Sequence, residues 1–245
     1  MSDREVVLAA EGLRAGYGDI LAIWDANIEI RRGEVTGLLG RNGAGKSTIF
    51  RALAGLATVQ AGTVTWRGDD ITALPPFKRA ARGLAVVQEG KRIFRQRSIE
   101  ENLLLGGFST RLGRKALAGR VKTMYERFPV LADRRHEHAG GLSGGQQQML
   151  AIAQALMSGP SAILLDEPTA GLAPSIVAEV LGVVTRLGRE EGLAVLLIEQ
   201  DVELVADIVT SATVLELGRA VYHGPPDPAA IRAAMEAVHA PRGTA

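Results

Sequence analysis

Apolar residues along the 245-residue chain gather in short runs of two kinds. Val6 to Leu8, Val35 to Leu39, Leu84 to Val87, Ile163 to Leu165, Leu193 to Ile198 and Val214 to Leu217 are nearly continuous and rich in Val, Ile and Leu. Most of these predict strands covered on both faces, as in a parallel sheet. Thr63 to Trp66 and Ala220 to His223 alternate apolar with polar and predict half-exposed antiparallel strands at an edge. Apolar positions recur with helical spacing over Lys46 to Ala54, Gln146 to Met157, Pro174 to Leu187 and Asp201 to Ile208. Strand followed by helix, repeated, is the order of an α/β layer fold, with mixed sheets built from the early and late segments.

Between Gln88 and Gly159 the strand pattern is absent, and Ile99 to Leu105, Arg114 to Phe128 and Gln146 to Met157 read as helices. The expected organisation is therefore one domain: an α/β core over 1–88 and 159–245, with a helical subdomain inserted over 89–158. No internal repeat, heptad or low-complexity tract interrupts it.

Composition excludes several classes. At 47% hydrophobic and 22% charged residues, with no Cys, the chain is neither disordered nor a disulfide scaffold, and it has no thiol nucleophile or thiolate metal site. Met1 to Leu13 carries no apolar core behind a basic start, so no leader is expected. Leu193 to Ile198 is among the longest apolar stretches, far below the roughly 20 residues that span a bilayer. The net charge of +1 conceals Lys78, Arg79, Arg82, Lys91, Arg92, Arg95 and Arg97, gathered in twenty residues whose single acid is Glu89. Such a stretch is either a solvated face or a contact for an acidic or phosphate-bearing partner.

Glycines cluster at 33–45, 140–145 and 218–224, between apolar runs. The first cluster carries chemistry. Val35 to Leu39 runs into Gly40, Arg41, Asn42, Gly43, Ala44, Gly45, Lys46, Ser47 and Thr48, the phosphate-loop spacing set between a predicted strand and a predicted helix. Glycines let backbone N–H groups converge on phosphate oxygens, and the helix start adds its positive end. Lys46 would reach the β and γ phosphates, Ser47 would hold Mg2+ through its hydroxyl, and Thr48 would bond the α phosphate. A second apolar run ends in Asp166 and Glu167. Alone, an acidic pair at a strand end is a common solvated feature. Beside a phosphate loop, Asp166 is expected at the metal or its bound water and Glu167 as the general base orienting the attacking water.

Leu142, Ser143, Gly144, Gly145 and Gln146 open a predicted helix, with Ser143 standing 23 residues before Asp166. Ser143 is a suitable N-cap there, and the exposed helix start presents N–H groups to an anion. With the phosphate loop and the acidic strand in this order, essentially the whole chain resembles the ATP-binding cassette (ABC) proteins. The resemblance implies a P-loop NTPase (RecA-like) α/β core with an antiparallel β subdomain and an inserted helical subdomain. It implies ATP and Mg2+ as cofactors, and ATP sandwiched between Lys46 of one subunit and Ser143, Gly144, Gly145 and Gln146 of another. In the same terms Tyr17 would stack on adenine. Gln88 or Glu89 would be the residue at the lobe junction that senses Mg2+ and the membrane partner. Gln200 stands where the family usually has a His that contacts the γ phosphate, and Ala173 stands where an Asp is usual. Glutamine still donates a hydrogen bond but carries no proton or charge.

Gln88 to Phe94, Leu142 to Ala153, Ala170 to Pro174 and Ile198 to Asp201 narrow the resemblance to the LivF-type ATPase subunit of branched-chain amino acid importers. That implies a cytoplasmic ATPase, peripheral on the inner face of the cell membrane. Its partners would be membrane permease subunits, a second and distinct ABC ATPase (a homodimer being the alternative) and, indirectly, a solute-binding protein, without nucleic acid. The basic stretch 78–97 would face the permease. Cassettes for urea, amides or other small solutes, and soluble non-transport ABC ATPases, are the alternatives.

Overall fold

The computed structural model describes residues 4–18, 20–110 and 112–239. Strands β1 (Val6–Tyr17), β2 (Ile20–Arg31), β3 (Val35–Gly40), β4 (Thr58–Trp66), β5 (Asp69–Asp70), β6 (Leu84–Val87), β7 (Ala162–Asp166), β8 (Ala194–Glu199), β9 (Ser211–Glu216) and β10 (Arg219–Gly224) form one sheet. Its order is β5-β4-β1-β2-β10-β9-β3-β8-β7-β6. One half, β5, β4, β1 and β2, is antiparallel. In the other half β9, β3, β8, β7 and β6 run parallel.

The parallel strands explain their continuous apolar runs. In β3, β7 and β8, Val35, Leu39, Ile163, Leu165, Val195 and Leu197 turn to one hydrophobic cluster, while Leu38, Leu164, Leu196 and Ile198 turn to the other. Successive side chains point to opposite faces, and both faces are covered. On one face lies α1 (Lys46–Ala54), whose Ile49, Phe50 and Leu53 join the β1 and β2 cluster. On the other lie α6 (Gly144–Leu156) and α7 (Pro174–Arg189).

Helices α3 (Ile99–Gly106), α4 (Arg114–Arg127), α5 (Pro129–Ala132) and α6 follow one another with no strand among them. Their buried Ile99, Leu103, Val121 and Met124 belong to the same cluster as Val35 and Leu39. Helices α2 (Pro76–Ala81), α5 and α9 (Pro228–His239) have no counterpart in the sequence pattern, and neither do β2 and β5.

Three expectations change. The segment 220–223 lies inside the sheet, since β10 pairs antiparallel with β9 and parallel with β2, joining the two halves. The helix expected over 201–208 shrinks to α8 (Val202–Val205): Asp201 is its N-cap, accepting from the N–H groups of Glu203 and Leu204, and residues 206–208 tighten into a turn in which Ile208 N–H donates to the Val205 carbonyl. Arg79 is not part of a solvated basic face. It is 1% exposed and donates to the carbonyls of Ala52 and Leu53 at 2.8 and 2.7 Å, capping the C-terminal end of α1. No helix among the described residues is long and apolar enough to cross a membrane.

Candidate functional site

Parallel pairing of β3 with β8 and of β8 with β7 brings their carboxyl ends to one edge, where crevices form in such sheets. There Gly40 ends β3, Glu199 ends β8 and Asp166 ends β7. The loop from Gly40 to Gly45 turns back over this edge into α1. Gly45 is the N-cap of α1 at φ +108°, and a Cβ on it would run into Ile23. A glycine cap has no side chain to fill the helix start, so the first amides of α1 are left for an anion.

A cavity of about 340 Å³ sits over that start. Asn42, Gly43, Gly45, Lys46, Ser47, Thr48, Glu89, Glu167 and Gln200 line it, together with Ala22. Of the other loop residues, Arg41 is exposed and Ala44 is buried, while Gly40 closes against Leu215, whose carbonyl a Cβ there would strike. The buried Lys46 Nζ donates to the carbonyls of Gly40 at 2.8 Å and Arg41 at 3.2 Å and lies 3.3 Å from Glu167 Oε1. Glu167 Oε2 accepts from Gln200 Nε2 at 2.7 Å. The Glu167 carboxylate is thus held from both sides. Its backbone has φ +45°, a left-handed conformation rare outside glycine, while its N–H donates to the Ile198 carbonyl at 3.1 Å. That turn ends the strand at Asp166 and sets the Glu167 carboxylate between Lys46 and Gln200.

Asp166 is 8% exposed, and its carboxyl is pushed up to about 6, chiefly by burial, then by the charges of Glu167 and Glu89. Lys46 and Arg51 oppose the shift. A buried carboxylate flanked by two others calls for a cation, so the donor set of Asp166 and the exposed Ser47 hydroxyl fits Mg2+. Among the described residues no three His, Cys, Asp or Glu form an all-protein metal cage.

At the end of β6 the chain separates two neighbours. Glu89 lines the phosphate cavity, whereas Gln88 lines a different cleft with Arg92, Gly106 and Gln154, between the strand edge and the helices. Ser143, Gly144, Gly145 and Gln146 are not among the cavity residues of their own chain. Ser143 caps α6, its hydroxyl accepting from Gln146 N at 3.3 Å while its own N–H donates to Gln146 Oε1 at 3.0 Å. Arg134 Nη1 binds the same Gln146 oxygen at 3.0 Å. Ser143 and Gly144 are exposed, and Gly145 is buried against Ile176. Tyr17 closes β1, and its side chain lies outside the described residues.

Sequence reasoning missed Ala22, which carries no chemical signal, and the buried pair Thr169 and Glu199. Thr169 Oγ1 donates to Glu199 Oε1 at 2.7 Å. An acid ending the apolar run before Gln200 was the available clue.

Residues 23–170 match the model of the ABC transporter family. The chain belongs to the ABC transporter family. It is 40% identical over 217 residues to the high-affinity branched-chain amino acid transport ATP-binding protein BraG of Pseudomonas aeruginosa, covering 89% of this chain and 92% of that protein. The probable branched-chain amino acid transport ATP-binding protein LivF of Archaeoglobus fulgidus is 34% identical, over 86% and 89% of the two chains. The lipopolysaccharide export ATP-binding protein LptB of Escherichia coli is 33% identical, over 89% and 90%. A nucleotide-free ATP-binding cassette from an ABC transporter superposes with a TM-score of 0.83 at 25% identity, covering 94% and 95%. The fold is therefore that of an ABC ATPase cassette, and the chain is the ATP-hydrolysing subunit of an ABC transporter.

Proposed function

We propose that this ABC cassette powers uptake of branched-chain or other hydrophobic amino acids through separate membrane permease subunits. The similarity to BraG over nearly the whole of both chains supports the substrate class. The observation that carries the catalytic reading is Glu167, held between Lys46 and Gln200 at the floor of the phosphate cavity. The loop amides and Lys46 bind the ATP phosphates. Ser47 and Asp166 would hold Mg2+, which when bound would supply positive charge against the phosphate oxygens. When Lys46 turns to the phosphates, Glu167 is left to take a proton from the attacking water, and Gln200 orients that carboxylate by hydrogen bonding alone.

Ser143 and Gly144, exposed at the start of α6, serve the ATP of a second cassette, in the preferred reading a distinct ATPase chain. We read 89–158 as the lobe that carries them. We read the cleft beside Gln88 and Arg92, with the exposed Phe94, Leu104, Leu105 and Phe108 nearby in the chain, as the face offered to the permease, in a subunit peripheral on the inner membrane surface. Purification of tagged Glu167→Gln protein with ATP and Mg2+ from solubilised host membranes tests this reading. Two multispanning permeases and a sister ATPase should accompany it. Recovery alone, or with nucleic acid or a soluble scaffold, overturns the importer assignment.

A further inference from the structure

Glu199 takes no part in the chemistry just described, yet it is 5% exposed at the edge where that chemistry is assembled. Its Oε1 accepts from Thr169 Oγ1 at 2.7 Å and from Thr169 N at 3.3 Å. Gln200 follows Glu199 directly at the end of β8, and its N–H favours the charged form of the same carboxylate. Thr169 is itself buried, but the loop around it surfaces at Ala170, Gly171 and Ala173 before α7 begins. On the other side of Gln200, Asp201 is committed to the start of α8. The Gln200 backbone is therefore pinned before and after, and its side chain reaches Glu167 from a fixed base.

We infer that Glu199 is a positioning residue for ATP hydrolysis: its buried carboxylate ties the 168–173 loop to the Gln200 backbone and so holds Glu167 in register with a surface that faces outward. An uncharged glutamine has only hydrogen-bond geometry to orient its neighbour, so the anchoring of its main chain sets how well it does so. A shift of the exposed loop is carried through Thr169 to Glu199, and from there to Gln200 and Glu167. Burial makes the carboxylate costly to ionise, and the donors from Thr169 and Gln200 offset that cost. The bonds hold most tightly when the group is charged.

This inference rests on Glu167 being the general base. In the full-length chain, steady-state ATP hydrolysis should be compared for Glu199→Gln, Thr169→Val and the double variant, beside Glu167→Gln. An amide at 199 keeps one acceptor oxygen but loses the charge that strengthens both Thr169 bonds, so kcat should fall about tenfold, the usual scale for losing a charged hydrogen bond, with KM for ATP within about twofold. Thr169→Val should fall similarly, and the double variant should be no slower than the slower single. Thr169→Val keeps the side-chain shape and supplies the answer if Glu199→Gln fails to fold. Unchanged kcat, a loss confined to KM, or losses that multiply in the double variant overturn the inference. Retained turnover in Glu167→Gln overturns the reading of the base instead, whatever Glu199 does.

Discussion

The phosphate cavity and the start of α6 are built from the same parts, namely glycines, a hydroxyl residue and a helix N-terminus, but they are left in opposite states. At α1 the N-cap is Gly45, with no side-chain bond, and Lys46 is folded back on the carbonyls of Gly40 and Arg41 and on Glu167. At α6 the cap is filled by Ser143 and Gln146, and Gln146 is further held by Arg134. Around the first start, Lys46, Glu167 and Gln200 of the same chain compensate one another, and no side chain caps the helix. The second is already satisfied locally and projects its remaining amides outward. A helix start whose cap is empty can seat phosphate within the chain, whereas a capped and exposed one can only complement a site brought to it.

The largest effect should come from Lys46→Ala, which removes the one side-chain cation that lines the cavity among the described residues. ATP affinity should drop about a hundredfold, a scale typical of a preorganised charge on phosphate, as read by titration with a fluorescent nucleotide. Unchanged affinity would erase the distinction between the two helix starts.

The glycines of α6 sharpen it next. A Cβ on Gly144 meets only the flexible end of Lys91, 3.1 Å away, and Leu172 at 3.6 Å, whereas one on Gly145 runs into the Ile176 side chain. Gly144→Ala should therefore keep its melting temperature and ATP affinity but lose about tenfold in turnover, the scale of one impaired bond to a charged group. Gly145→Ala should unfold more readily, by about 1–3 kcal/mol of overpacking. If both behave alike in calorimetry and in ATPase assays, the outward-facing role of α6 is wrong.

Asp166 gives a pH test confined to the cavity. Because its folded carboxyl titrates near 6 against an ordinary value of 3.8, its ionisation costs stability as pH rises from about 4 through 6. Asp166→Asn should melt several degrees higher than the parent at pH 8 without nucleotide, a shift of the order expected for about 3 kcal/mol as the carboxyl moves from 3.8 to about 6, and the gain should largely vanish near pH 4. A gain of the same size at both pH values would show that the charge is not the cause.

The smallest effect belongs to the filled cap. Ser143→Ala should cost about 1 kcal/mol in denaturant unfolding, the usual worth of an N-cap, without altering single-chain ATP affinity. A fall in that affinity would mean that the start of α6 serves its own cavity.

Much of this was legible along the chain. The strand-to-helix order, the phosphate loop and the acidic strand end are local, so their residue types and spacings carry them. Strand β2 escaped because two successive exposed residues, Trp24 and Asp25, break the alternation between buried Ile23 and buried Ala26, Ile28 and Ile30. Helix α2 is short, and its one buried residue is an arginine, which reads as surface.

By itself the sequence determined which groups could bind phosphate, accept a proton or cap a helix, because those properties belong to residue types at short spacing. The tertiary structure alone decided which of them meet. Glu89 rather than Gln88 reaches the cavity because of where β6 ends. Glu167 sits between Lys46 and Gln200, and Glu199 beneath Thr169, because parallel pairing sets β3, β8 and β7 side by side across more than a hundred residues of chain. Contacts at that separation depend on register and on a single left-handed turn at Glu167, neither of which leaves a mark in local composition.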